Sequence, residues 1–423
     1  MNEKLLQYIW QFQCFNLNQL QTTDGEAVLI IQPGTSNSNQ GPDFKDAKIK
    51  IADTTWAGHV ELHILSSDWL AHKHSSDENY KNVILHVVWQ NNIDLQLPFP
   101  VLEMHDKVPK VLLSRFDALM QASDFIPCQH SLTMVTPIIW DSWKQRMLVE
   151  RLQDKSTLVQ AYLQLNNNNW EETFWWLLAK NFGLKVNSAC FEKIARSLPV
   201  NLLAKHKNQI QHLEALLFGQ ASLLTGEFTD DYMIMLQKEY HFLQKKYHLH
   251  PVKDALFFLR MRPSNFPTVR LAQLAMLVHK SSHLFSKIKE ADSIKTVKKL
   301  LDVTANDYWH YHYMPDEPSG YKEKNMGTQM IDNILINTII PTLFTYGYLL
   351  NETPYIDRAL QWMEQVPAEK NVITRGFEAI AVANVNAFDS QALLQLKNNY
   401  CNKKRCLECA IGNKILRTFG EQG

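Results

Sequence analysis

Two rhythms of apolar residues divide this chain. Up to about residue 108 they alternate or run in short β-branched blocks; beyond it they recur every three or four positions. The opening MNEKLLQYIWQFQCF predicts a helix over residues 1–20, stopped by the turn formers Thr22, Thr23, Asp24 and Gly25. AVLIIQ predicts a strand and PGTSNSNQGPD a loop. AKIKIAD and TWAGHVELHI follow as a hairpin turning near Asp53 and Thr54. NVILHVVW is apolar on both faces, the pattern of a central strand, and strand character continues through LQLPFPVLEM to about residue 104.

The second rhythm predicts helices. SWKQRMLVERLQDKSTLVQAYLQL, WEETFWWLLAKNF, IQHLEALLFGQASLL and TVRLAQLAMLVHKSSHLF each carry an apolar stripe. Pro267 suits a helix start, Gly183 the position past a helix end, and Asp389 or Ser390 an N-cap. The expected fold is α+β: an N-terminal mixed α/β domain with a small β-sheet over residues 1–108, then a large all-helical domain over 109–423. The most apolar window, Met330 to Leu350, contains Asp332, Asn333, Asn337 and Pro341, which predicts a buried helix and no membrane span.

Composition narrows the function classes a little. Apolar residues make up 45% and charged residues 20%, an ordinary globular balance. Basic and acidic residues number 43 each, so no global positive charge points to nucleic acid, although a local basic groove stays compatible. The N-terminus lacks the basic-then-apolar order of a secretory signal. Six cysteines without such a signal suggest a reducing cytoplasm, where clustered thiols hold metal more often than they pair. GxGxxG, P-loop and GxSxG patterns are absent, which removes support for nucleotide cradles and serine-hydrolase elbows.

Chemistry concentrates between Gly41 and Val88. In GHVELHI, Glu61 and His63 share one face of a strand while Val60, Leu62 and Ile64 take the other. Asp43 stands at the mouth of the preceding strand, where a hairpin brings it beside Glu61. Two converging carboxylates suit Mg²⁺ or Mn²⁺, and His63 could orient or deprotonate a bound water. In SSDWLAHKHSSDENY, the residues Asp68, His72, His74 and Asp77 could serve the same cleft, the imidazoles offering nitrogen to Zn²⁺ or Mn²⁺. His86, inside an apolar strand, reads as a core histidine. The plainer reading gives Asp43 a turn, Ser67 or Asp68 a helix cap, and the other histidines an exposed loop.

Near the C-terminus Cys401, Cys406 and Cys409 follow a C-x4-C-x2-C spacing, whose C-x2-C pair has the bite for one tetrahedral ion. The flanking Lys403, Lys404 and Arg405 would favour thiolate. A closed zinc site or an iron–sulfur cluster needs a fourth ligand, for which Cys128 in IPCQH is chosen, with His130 second. The same thiols could equally be reduced cysteines beside a helix. Cys14 and Cys190 read as helix-core thiols. Arg260, Arg262 and Arg270, grouped around two prolines, could bind substrate phosphate or pair with helix carboxylates across the bundle.

The order Pro42-Asp43, hairpin, Glu61-Leu62-His63 resembles the PD-(D/E)XK nuclease superfamily. That resemblance implies a restriction-endonuclease-like N-terminal fold and metal-dependent cleavage of nucleic acid, with Glu3 as counterpart of an extra acidic residue on the first helix. His63 departs from the pattern by standing where the superfamily has lysine. Over nearly the full length, GPDFKDAKIKI, WAGHVELH, SSDWLAHKH, RMRPSNFPTVRLAQLA and YCNKKRCLECAIG resemble the bacterial domain-of-unknown-function family 2851, which implies kinship without an activity. The expectation is a metal-dependent, nuclease-like phosphodiesterase with Asp43 and Glu61 on the cation and His63 assisting the water. Two others stand beside it: a non-catalytic binding or scaffold protein whose metal sites are structural, and a hydrolase with a binuclear His/Asp site.

Overall fold

The structure, a computed structural model, describes residues 1–281 and 283–418. It is α+β. Two compact units emerge, Met1–Trp143 with the segment from Leu396 onward, and Lys144–Gln395. This differs from a split at residue 108: helix Lys110–Gln121 and the cysteine-bearing C-terminal segment both belong with the sheet. A helical stripe shows that a helix buries one face, and leaves open which core receives it. Here Leu112, Phe116 and Leu119 of Lys110–Gln121 are buried, and Arg115 donates to the carbonyls of Ile415 and Thr418.

The first unit opens with α1 (Glu3–Gln11), capped by Asn2, whose side chain accepts from the Leu5 amide at 2.9 Å. Its face of Leu5, Leu6, Ile9 and Trp10 is buried and packs on the sheet. The helix is shorter than expected, so Cys14 lies past its end and not in a helix core. Strands β1 (Val28–Gln32), β2 (Thr35–Ser36), β3 (Phe44–Ile51), β4 (Thr54–Leu65), β5 (Val83–Gln90) and β6 (Val101–Glu103) form one sheet in the order β1-β3-β4-β5-β6, with β2 also on β3. β1, β3 and β4 are antiparallel, and the β3–β4 hairpin pairs Ile51 with Thr54. β5 lies parallel to β4, and β6 parallel to β5.

A parallel pair cannot be joined by a tight turn, so residues 66–82 must cross over. That crossover holds α2 (Asp68–Ala71) and two single turns, His74–Ser76 and Glu78–Tyr80. Val83 to Val88 are buried on both faces, as the unbroken apolar run predicts for a central strand.

The second unit is helical apart from a ribbon of His312–Met314 with Glu317–Pro318. Among the described residues one helix, Thr328–Leu350, is long and apolar enough to cross a membrane, and 67% of that window is buried. The Thr342 and Thr345 hydroxyls there bond back to the Thr338 and Pro341 carbonyls at 2.7 Å.

Two local expectations are corrected in this unit. Gly183 has φ −67°, and the left-handed residue is Leu184 at +52°. Glycine is needed because a Cβ would lie 2.5 Å from the Asn187 carbonyl oxygen. Helix Ala387–Gln395 is preceded by Asn386, whose side chain accepts from the Asp389 amide at 3.0 Å; Asp389 instead pairs with Lys144 at 2.9 Å.

Candidate metal centre

Phe44 of β3 pairs with Val60 of β4, so Asp43 meets Glu61 at the open end of the hairpin. The Asp43 amide donates to Glu61 Oε2 at 3.0 Å, and the Leu62 amide donates to Asp43 Oδ2 at 3.2 Å. Gln7 Nε2, from α1, donates to Asp43 Oδ1 at 2.8 Å. Three of the four oxygens are thereby fixed. The fourth, Glu61 Oε1, faces His74 Nε2 at 3.4 Å and His63 Nε2 at 3.6 Å.

Burial raises the Asp43 carboxyl to about 6 and the Glu61 carboxyl to about 8, the latter with further help from the Asp43 charge. The other charges acting on the pair are Glu3, which raises both, and His72, which lowers Asp43. No lysine or arginine is among them. The pair titrates jointly and would release protons to an arriving cation.

His63 hangs from the same face of β4 as Glu61 and is 1% exposed. Its Nδ1 lies 2.9 Å from His86 Nε2, and its Nε2 lies 3.1 Å from His72 Nδ1. His72 and His74 come from the crossover, where Lys73 at φ +59° reverses the chain between them. One ligand atom from each of His63, His72 and His74 lies within 4.8 Å of the other two. Tyr80 stacks on the His74 ring at 3.9 Å, and Trp69 packs against His63, His74 and His86. His72 is exposed, so the group opens on that side.

Burial, then the neighbouring imidazoles, pushes His63 down to about 2 and His86 to about 4, and lowers His74. The rings are therefore neutral near pH 7, with lone pairs free for a ligand. The three imidazole nitrogens, with the Glu61 oxygen beside two of them, suit Zn²⁺ or Mn²⁺ more than Mg²⁺, which favours oxygen.

Other residues singled out from the sequence are employed differently. Asp68 Oδ2 accepts from the Leu65 amide at 2.9 Å and closes the turn into α2. Asp77 caps the next turn, accepting from the Asn79 amide at 2.9 Å. Glu3 is exposed and reaches the pair through charge alone. His86, read as a core residue, is buried yet joins the network through His63, and its Nδ1 has no hydrogen-bond partner. Its register opposite Glu61 was the signal, since paired strand residues share a face. Gln7, Trp69 and Tyr80 were missed because only the tertiary fold brings them here.

In the second unit Arg270 is buried, with Nη1 on Gln273 Oε1 at 2.8 Å and Nη2 on Asn265. Arg260 and Arg262 are exposed. The three arginines thus form no common phosphate-binding face, and Arg270 binds neutral amides where a carboxylate across the bundle was the other expectation. The thiols of Cys128, Cys401, Cys406 and Cys409 are all free, and every pair among them interacts electrostatically. Burial raises all four, with neighbouring thiols adding to it at Cys128, Cys401 and Cys406, so Lys403, Lys404 and Arg405 do not hold them as thiolates. His130 is 76% exposed at its side chain and faces Asp124 at 3.4 Å.

The profile of the family described as "Protein of unknown function (DUF2851)" matches residues 3–372 of the chain. No curated protein and no solved structure matches it.

Proposed function

Since the chain belongs to the DUF2851 family, whose description assigns no activity, the site must carry the argument, and we propose a metal-dependent hydrolase that cleaves phosphodiester bonds in nucleic acid. The carrying observation is the gathering of His63, His72 and His74, with the free oxygen of a buried Glu61 facing His63 and His74. In this reading these four residues hold a divalent cation, with Asp43 beside them. Such an ion lowers the pKa of bound water and offsets charge on a phosphoryl oxygen. His86 engages Nδ1 of His63 and so directs its Nε2 towards the cation, the usual outer-shell task. Asp43, raised towards neutrality and held by Gln7, is suited to take a proton near pH 7.

The substrate class is argued from charge. A cleft of about 360 Å³ is lined by Lys4 and Gln7 of α1 together with Lys403, Lys404, Arg405 and Glu408, the last paired with Arg405, so basic residues outnumber acidic ones there. Gln7 also bonds to Asp43, so the basic lining continues towards the carboxylates. A groove of this charge suits a phosphate backbone. The test is cleavage of labelled single- and double-stranded oligonucleotides with Mn²⁺ or Zn²⁺. Wild type should cleave, whereas Glu61→Gln and His72→Ala, shown folded by circular dichroism, should not. Metal-loaded wild type that leaves both substrates intact would point to a structural metal site and a scaffold role.

A further inference from the structure

The C-terminal segment returns to the sheet-bearing unit after the whole helical unit has intervened. Its own apolar anchor is short: the last helix, Ala410–Arg417, buries Ile411, Gly412, Ile415 and Leu416. Much of its remaining attachment is polar, from Lys397 to the Phe125 carbonyl and from Lys404 to the Met120 carbonyl. Four free cysteines lie on the elements that make this attachment. Cys401 ends the turn Leu396–Cys401, Cys406 opens the turn Cys406–Glu408, and Cys409 precedes the last helix. Cys128 comes from the other side, just before the turn Gln129–Met134 that packs on the last helix. We propose that Cys128, Cys401, Cys406 and Cys409 hold one soft-metal centre, a zinc ion or an iron–sulfur cluster, which fastens this segment to the sheet-bearing unit.

The surroundings of Cys409 suit a sulfur anion. It stands beside the backbone N–H groups of Ile411 and Gly412 and the Trp143 indole. The two backbone donors sit at the start of the last helix, where partial positive charge collects. A thiol serving as core filler needs no such donors. The turn joining Cys406 to the last helix is also close-built, because a Cβ on Gly412 would lie 2.2 Å from the Cys406 carbonyl oxygen. Cys128, Cys406 and Cys409 are buried, and Cys401 is half-buried. Burial holds the metal-free thiols protonated, and a binding cation displaces those protons.

The placement has a consequence for the cleft. Lys403, Lys404 and Arg405 lie between Cys401 and Cys406 and line it, so the centre would set where those cations stand. The inference is independent of the reading of the histidine site.

The test uses full-length protein purified without oxygen, analysed for metal and by visible absorption. About one zinc without colour, or about four iron with a brown chromophore bleached on reduction, is expected at this centre. Cys406→Ser and Cys409→Ser should lose that complement, while Cys14→Ser, Cys190→Ser and His72→Ala keep it. Alkylation mapped by mass spectrometry on wild type avoids any misfolded variant. Cys128, Cys401, Cys406 and Cys409 should be protected as purified and become labelled once a chelator has stripped the metal. Equal labelling before and after chelation, or disulfides among the four in protein purified without oxygen, would overturn the proposal.

Discussion

The two donor clusters of the sheet-bearing unit are built in opposite ways. Glu61, His63 and His86 hang from the paired strands β4 and β5, whose ladder fixes the side-chain positions whether or not an ion is present. The four cysteines come from turns and a helix cap, and nothing regular joins Cys128 to the other three. The first arrangement is a prepared site, whose ion should add chemistry more than stability. In the second, binding energy and folding energy are the same quantity. Metal loss should therefore be felt as lost activity at one cluster and as lost structure at the other.

The sharpest way to break that contrast is Cys409→Ser, or metal removal from the cysteines. Either should destabilise the sheet-bearing unit by several kcal/mol, on the order of 3–5, as for loss of a structural metal. Thermal unfolding checks it, and a loss no larger than that of His72→Ala would erase the distinction. Next comes Gly412→Ala, which drives a Cβ into the Cys406 carbonyl. Its expected cost is roughly 1–3 kcal/mol, and unfolding in denaturant should show it even in protein that retains metal.

The strand cluster gives a smaller, pH-dependent effect. The Glu61 carboxyl stands at about 8 when folded against 4.5 ordinarily, so the metal-free folded state keeps a proton that the unfolded chain releases. Its stability should then fall as pH rises from about 4.5 to about 8 and level off above. Glu61→Gln lacks this loss, while its remaining side-chain oxygen can still accept the Asp43 amide. It should therefore gain on metal-free wild type across that window, by on the order of 1–3 kcal/mol at its top. A gap that stays flat between pH 5 and pH 8 would contradict the assignment. On the acid side His63, lowered to about 2, gives the opposite slope: stability present above pH 6.5 is lost as pH falls. Smallest is His86→Ala, which removes the partner of His63 Nδ1 and should weaken metal affinity about 10–100-fold. Metal titration followed by competition with a chelator measures it.

The same contrast separates what the sequence could reveal from what it could not. Period-two alternation in GHVELHI placed Glu61 and His63 on one face, and the turn at Asp53 predicted the hairpin that brings Asp43 alongside. Those are local rules. His86 is the buried core histidine its apolar strand predicted, but its bond to His63 was not legible, because a strand buried on both faces looks the same whether its histidine fills space or holds another imidazole. Asp68 and Asp77 drew notice as carboxylates, yet each accepts from an amide within three residues, a competing local use. The return of residues 396–418 to the sheet was invisible for a different reason. Helical periodicity reports a buried face and carries no address for the core that buries it.

Calorimetric titration of Mn²⁺ into metal-free full-length protein near neutral pH, in buffers of different ionisation heat, tests the histidine–carboxylate centre most directly. Wild type should bind about one ion per chain with proton release, because the cation displaces the proton on Glu61. His72→Ala and Glu61→Gln should lose that binding while remaining folded. Equal heats and equal proton release in wild type and both variants would contradict it.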